Sequence, residues 1–280
     1  MDKLLIADGS NLLFQMFYGM PARIVNDQGR AIQGTLGFIG ALLKIIRMTL
    51  PTHVLVVFDG ECENERSALD ENYKGNRPDY SRMPEEETPF SQLPDIYAAL
   101  DELGICHRET TNCEADDWIA GYAMRYGGEM DVVIASQDSD FFQLITERVS
   151  VLRYRGKNTV ICDPAFIREK LGIEPRQYAA FKALTGDTAD NIRGVDRIGP
   201  KTAALLMNNY GDLDTLLAKS GEIRKPSIRA SVEQNAARIR NNYRLIKLSG
   251  SAALPFELQE LLWTDQALST TQVLQRIGVK

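Results

Sequence analysis

Three short apolar runs rich in β-branched residues each lead to an aspartate: Leu4 to Asp8, Val54 to Asp59, and Val132 to Ile134 continuing to Asp138. Segments with helical spacing separate them, notably 34–48 and 114–126. Strands alternating with helices predict an α/β fold, a mostly parallel sheet covered by helices on both faces. Shorter runs at 105–108 and 149–154 predict additional strands. In such sheets ligands bind outside the carboxyl ends of the strands, and that is the edge to which each run delivers its aspartate. Residues 61–88 break the rhythm: they are polar, carry Pro78 and Pro84, and offer few positions for a core. So long a connection in a compact domain is usually functional or mobile. After Asp163 the pattern turns wholly helical, at 164–171, 175–185, 202–210 and 227–248. The expectation is an α/β body over 1–163 and a helical region over 164–280. The two should share one core, because no Gly/Ser linker divides them.

Composition narrows the classes. At 280 residues, with 44% hydrophobic and 25% charged positions, the chain has the profile of an ordinary globular protein. The first apolar run is too short for a signal peptide, and none approaches the roughly 18 residues of a membrane span. A cytoplasmic location away from membranes is expected. The four cysteines form no CxxC pair, so reduced thiols are expected rather than a zinc ribbon or disulfide framework. Net charge is −6, which at first argues against nucleic acid. Its distribution argues otherwise. Between Lys219 and Lys247 eight basic residues face only Glu222 and Glu233, a local charge of +6. Arg148, Arg153, Arg155 and Lys157 form a second cluster. Basic stripes govern phosphate binding more than the global sum does.

Nine carboxylates sit at the ends of strands or the starts of helices: Asp8, Asp59, Glu114, Asp116, Asp117, Asp138, Asp140, Asp187 and Asp190. Singly, each has a bland reading as a helix cap or a complement to a helix dipole. Together, at one sheet edge, they place like charges within a few ångströms, which is unfavourable unless protons or cations neutralise them. Oxygen-only ligands suit Mg²⁺ or Mn²⁺, and nine acids exceed the needs of one ion. A pair of ions roughly 3.5–4 Å apart is the arrangement that hydrolyses phosphodiesters. His53 and His107 lie in no nucleophile, zinc or relay motif, so activated water is expected in place of histidine base catalysis.

The segment from Gly186 to Ala203 reads GDTADNIRGVDRIGPKTA. Gly194 and Gly199 permit tight turns, Pro200 suits the first turn of a helix, and free amides with Lys201 would face an anion. This is a helix–hairpin–helix signature, spanning about 176–210, that grips a DNA backbone without reading sequence. With LLIADGSN, VVFDG, NYKGNRP, EADD and SQDSDFFQL, the chain resembles the 5′-nuclease or flap endonuclease family from Leu4 to about Leu248. That family includes the amino-terminal domain of bacterial DNA polymerase I and free-standing bacterial and phage enzymes. The resemblance implies that Asp8, Asp59, Glu114, Asp116 and Asp138 are ligands or near-ligands of one ion, and that Asp117, Asp140, Asp187 and Asp190 serve a second, some of them bridging or acting through water. It implies that Asp8, Asp59, Asp116, Asp138 and Lys74 are catalytic. Residues 61–88 then correspond to the arch over a single-stranded 5′ arm. Lys74 matches the active-site lysine, Arg77 a phosphate contact, and Tyr73 a base-stacking ring. Arg193, Gly194, Gly199, Lys201 and Thr202 would hold the DNA backbone, with K⁺ at the hairpin as a family feature. DNA with 5′ flaps, 5′ arms or duplex ends is the implied partner, with any polymerase a separate chain and the protein itself a monomer. Exonuclease and flap-endonuclease preference both stay open.

Two departures stand out. SQDSDFF replaces the commoner TGDKDLL, and Arg197 occupies a position that is usually glycine; if that position requires a positive φ, Arg197 is strained. Three other readings compete. A ribonuclease of the related acidic-cluster fold is disfavoured by the length of the chain and by the clamp. A catalytically silent DNA-binding protein would lack site acids, and none is missing. A phosphatase with an aspartyl nucleophile is disfavoured because Asp8-Gly9-Ser10 lacks a second aspartate two positions on.

Overall fold

The computed structural model describes residues 2–60 and 65–279. The first four positions of the expected arch, Cys62 among them, lie outside the described residues. The chain runs β1 (Lys3–Asp8), α1 (Gly9–Gly19), α2 (Gln33–Thr49), β2 (His53–Phe58), α3 (Glu65–Leu69), α4 (Leu93–Glu102), β3 (Cys106–Glu109) and α5 (Ala115–Tyr126). Then come β4 (Asp131–Ala135), β5 (Val149–Arg153), β6 (Val160–Cys162), α6 (Pro164–Leu171), α7 (Tyr178–Thr185), β7 (Gly186–Asp187), β8 (Ile192–Arg193) and α8 (Pro200–Tyr210). The remainder is α9 (Leu213–Ala218), α10 (Pro226–Gln234), α11 (Ala236–Ile246) and α12 (Thr270–Arg276).

Six strands form one sheet in the order β3-β2-β1-β4-β5-β6, parallel throughout except for β6, which runs antiparallel to β5. The alternation of side chains along a strand divides the interior in two. Leu4 and Ile6 of β1, with Leu55 and Val57 of β2, join a core that also takes α5, α7 and α8. Leu5 and Ala7, with Val54, Val56 and Phe58, join the opposite core with α2, α4 and α12. Helix α7 and helix α8 therefore share one apolar mass with the sheet, as the absence of a linker suggested. The parallel order places β1 beside β2 and β4, so Asp8, Asp59 and Asp138 leave neighbouring strands at one edge.

The sequence reading is corrected in two places. The helix expected over 227–248 is two helices, α10 and α11. Asn235 Nδ2 donates to the Ser231 carbonyl at 2.8 Å, taking the acceptor that the backbone N–H of residue 235 would use in a continuous helix. The tail beyond residue 256, grouped with the helical region, packs on the α/β layer instead. His53 bridges to Leu262, the Trp263 N–H donates to the Thr52 carbonyl, and α12 packs on α2 and α4. The described part of the polar stretch and the residues after it, 65–92, form one run of short elements. It holds α3 and three single turns at Tyr80–Arg82, Glu85–Glu87 and Pro89–Gln92.

Candidate active site

Asp8 ends β1 and caps α1, its Oδ1 accepting from the Asn11 N–H at 3.0 Å while Oδ2 accepts from the Ser136 hydroxyl at 2.8 Å. The capping reading is thus true of it. Asp59 leaves β2 and accepts from the Ala115 N–H at 2.9 Å, tying this strand end to the start of α5. Asp116 stands in the first turn of α5. Asp138 follows β4 and accepts from the Asp140 N–H at 2.8 Å.

Burial, with the charges of neighbouring acids, raises the carboxyls of Asp8, Asp116 and Asp138. Asp8 is pushed up to about 7, by burial first and by Asp59 next. Asp116 is raised well above the ordinary range by burial, then by Asp138, Asp59 and Asp8. Asp138 is raised by burial and by Asp190 and Asp187. Four strand- and helix-end acids therefore converge and resist carrying four charges together.

A second group lies beside them. Asp140, Asp187 and Asp190 each offer a carboxylate oxygen, and these atoms lie within 4.8 Å of one another. Asp140 is raised well above its usual range by burial and by Asp138, with Lys182 opposing. Its Oδ1 is buried with no hydrogen-bond partner. A buried carboxylate oxygen left bare beside two further carboxylates is costly, and a hard cation is the natural complement. Lys182, in the last turn of α7, pairs with Asp187 and partly offsets the charge. The sequence reading missed it; its place five residues before Asp187 is the only signal there was.

Glu114 and Asp117, at the start of α5, are engaged by cations of the chain. Glu114 accepts from Lys74 Nζ at 2.6 Å and from Arg66 at 2.5 Å, with the Tyr73 hydroxyl 3.3 Å away. Asp117 receives Arg66 on both oxygens, at 2.7 and 3.1 Å. Lys74 and Arg66 hold the Glu114 carboxyl below its ordinary value despite its burial. Arg66 is 8% exposed and was missed because its segment reads as uniformly polar.

Tyr73 also departs from expectation. It is buried with Ala179, Ile192, Leu245 and Ile246, so its ring is not free to stack on a base. The base of the arch is bound to the β7–β8 ribbon. The Lys74 N–H donates to the Asp190 carbonyl at 3.0 Å, Asn76 donates to the Thr188 carbonyl at 2.9 Å, and Asn191 returns a bond to the Asn72 carbonyl at 2.9 Å. Arg77 reaches Asp190 Oδ1 at 3.1 Å. Lys74 has φ +56, so the loop delivers its ammonium through a left-handed backbone.

The ribbon continues into the hairpin. A Cβ at Gly194 would stand 2.3 Å from the Thr185 carbonyl oxygen, so only glycine fits the crossing of the two strands. Gly199 meets nothing within 4 Å and serves as the N-cap of α8, which opens without a side-chain cap. Arg193, Arg197 and Lys201 are exposed around that opening, and Thr202 is half-buried. Arg197 has φ +69, the left-handed conformation in which glycine is more comfortable.

Comparison with known proteins gives the family and the fold. Residues 3–172 match the 5′-3′ exonuclease N-terminal resolvase-like domain, and residues 173–268 match the 5′-3′ exonuclease C-terminal SAM fold. A 5′-3′ exonuclease of Bacillus subtilis is 32% identical over 100% of this chain and 94% of its own length. DNA polymerase I of Rhizobium leguminosarum is 35% identical over 95% of this chain, which spans 26% of that protein. Among solved structures, a bacteriophage T5 flap endonuclease in a pseudo-enzyme-product complex with DNA and metal ions superposes with a TM-score of 0.72. It is 20% identical and covers 98% of this chain and 99% of that one. By its sequence, and by a fold that carries two groups of acids to one sheet edge, the chain belongs to the 5′-3′ exonuclease family.

Proposed function

We propose that the protein is a divalent-metal-dependent 5′-nuclease that hydrolyses DNA phosphodiester bonds at or near a 5′ end. The observation that carries this is the pair of adjoining acid groups, with the bare Asp140 Oδ1 in one of them. Asp140, Asp187 and Asp190 would hold one Mg²⁺ or Mn²⁺, and Asp8, Asp59, Asp116 and Asp138 a second. Bound there, the ions supply positive charge to the phosphodiester and to the water that attacks it.

The chain's own residues bind and orient. Amides at the uncapped start of α8, with Lys201 and Arg193, hold a backbone phosphate of the duplex without reading bases. Asp187 and Asp190 sit on and beside the ribbon that leads into this clamp, so the hairpin sets the distance between gripped phosphate and acids. Lys74, held by Glu114 at 2.6 Å, is poised to exchange that partner for the scissile phosphate. Arg66 keeps Glu114 neutralised when Lys74 leaves, which avoids a buried unpaired carboxylate. Arg77, tethered to Asp190, offers a second cation at the base of the arch.

The deciding experiment supplies 5′-labelled flap, nicked-duplex and single-stranded DNA with Mg²⁺, Mn²⁺ or EDTA, and maps the products. Metal-dependent cuts clustered near the 5′ end or the junction are expected. Intact substrates in both metals would overturn the reading.

A further inference from the structure

Arg244 and Lys247, three positions apart, are exposed where α11 ends beside the base of the arch. With Arg66 and Asp117, and with Ser249 and Ser251 of the following segment, they line a solvent-open cavity of about 500 Å³. That volume falls within the range of sites that enclose a nucleotide-sized ligand. Its lining is positive for a structural reason. Asp117 contributes little free negative charge, since both of its oxygens are taken by Arg66. Arg244 and Lys247 make no ion pair among the described residues, whereas Arg240, one turn earlier on α11, is paired with Asp214. Ser249 and Ser251, whose hydroxyls lie 2.9 Å apart, add neutral donors. Arg66 is also the partition between this cavity and the proposed chemistry. Its other bond goes to Glu114, whose second oxygen takes Lys74. The cavity thus begins one side chain beyond the lysine.

We infer that this cavity is a phosphate-binding site for a single-stranded 5′ segment lying beyond the base of the arch. The inference rests on the 5′-nuclease reading and adds to it a site separate from the hairpin clamp. A phosphodiester of a threaded strand and the phosphate of a released mononucleotide share the chemistry that Arg244 and Lys247 would recognise, and the test separates them.

The test compares wild type with the double variant R244Q/K247Q in EDTA, so that no cleavage intervenes. Binding of a fluorescent 5′-phosphorylated oligothymidylate is followed across salt concentrations, alongside a blunt duplex. Two phosphate contacts to a single strand contribute a slope of about 1.4 in log K against log salt, and that slope should disappear. Affinity for the oligothymidylate at low salt should fall about tenfold, and for the blunt duplex by much less. R244E should lose more than R244Q. Displacement of the oligothymidylate by thymidine 5′-monophosphate from wild type but not from the variant assigns the site to the released nucleotide; failure to displace assigns it to the strand. Both side chains are exposed, so an unchanged melting temperature verifies the fold. Equal losses on strand and duplex, or no loss on either, overturn the site. A wild type that cuts flaps normally while R244Q/K247Q binds normally removes this cavity and leaves the nuclease reading intact.

Discussion

Asp8→Asn should stabilise the metal-free protein at alkaline pH while removing a residue of the proposed chemistry. The substitution is nearly isosteric. Asn keeps Oδ1 as acceptor for the Asn11 N–H, and the Ser136 hydroxyl can turn to accept from the new amide. What changes is charge. Burial and Asp59 raise the Asp8 carboxyl from 3.8 to about 7 in the fold. A carboxyl whose folded value lies above its unfolded value favours the fold when protonated and loses that advantage as pH climbs. Here the loss begins near pH 4 and is complete above about pH 7. Three units correspond to about 4 kcal/mol at pH 8.5, and to under half of that at pH 5. In a chain of this size each kcal/mol moves the melting temperature by about 2–4 °C. Thermal melts in EDTA at pH 5 and pH 8.5 should therefore show the variant ahead by several degrees at the higher pH and by far less at the lower. Saturating Mg²⁺ should raise wild type more than the variant, because a cation that binds only the fold stabilises it by mass action. Equal melting temperatures at pH 8.5 in EDTA would mean that the acids of the first group do not repel one another, and the convergence argument would fall.

Lys74→Ala should lower the saturating single-turnover cleavage rate by about 100-fold while changing DNA affinity little, and Lys74→Arg should restore only part of it; a rate within threefold of wild type would remove the ammonium from the chemistry. Asp187→Asn with Asp190→Asn should keep binding to flap DNA, measured by anisotropy, and lose cleavage by about 100-fold or more, since both acids border the clamp without forming it. Gly194→Ala should destabilise by about 2 kcal/mol or more in denaturant titration, because its Cβ meets a backbone oxygen. Arg197→Gly should stabilise by roughly 0.5–1 kcal/mol by relieving a left-handed φ, with some loss of DNA affinity from the removed cation.

Much of the fold was legible because its signals are local. The short apolar, β-branched runs of β1, β2 and β4 read as buried strands, and a Pro at the first turn with a Gly at the end marks α6 well. The convergence of Asp8, Asp59 and Asp138 followed from the parallel strands they leave, whereas Asp187 and Asp190 arrive from the β7–β8 ribbon. What escaped was set by tertiary partners. Nothing adjacent to Arg66 in the chain announces its partners Glu114 and Asp117, some 50 residues away. Tyr73 reads as a stacking ring because its neighbours are polar; the apolar surface that covers it comes from residues 179–246. The break at Asn235 depended on one side-chain bond to a carbonyl, which spacing does not register. The tail beyond residue 256 carries no periodic motif, so its return to the sheet was invisible.

That return orders events during synthesis. Thr52 and His53 of β2 meet Trp263 and Leu262, and α12 covers faces of α2 and α4. The first half of the chain leaves the ribosome with those apolar faces bare and must wait for some 200 further residues. At about 5–20 residues per second the delay lasts on the order of 10–40 seconds. The nascent body is therefore a natural client for chaperones, and fragments ending near residue 250 should aggregate more readily than the full chain.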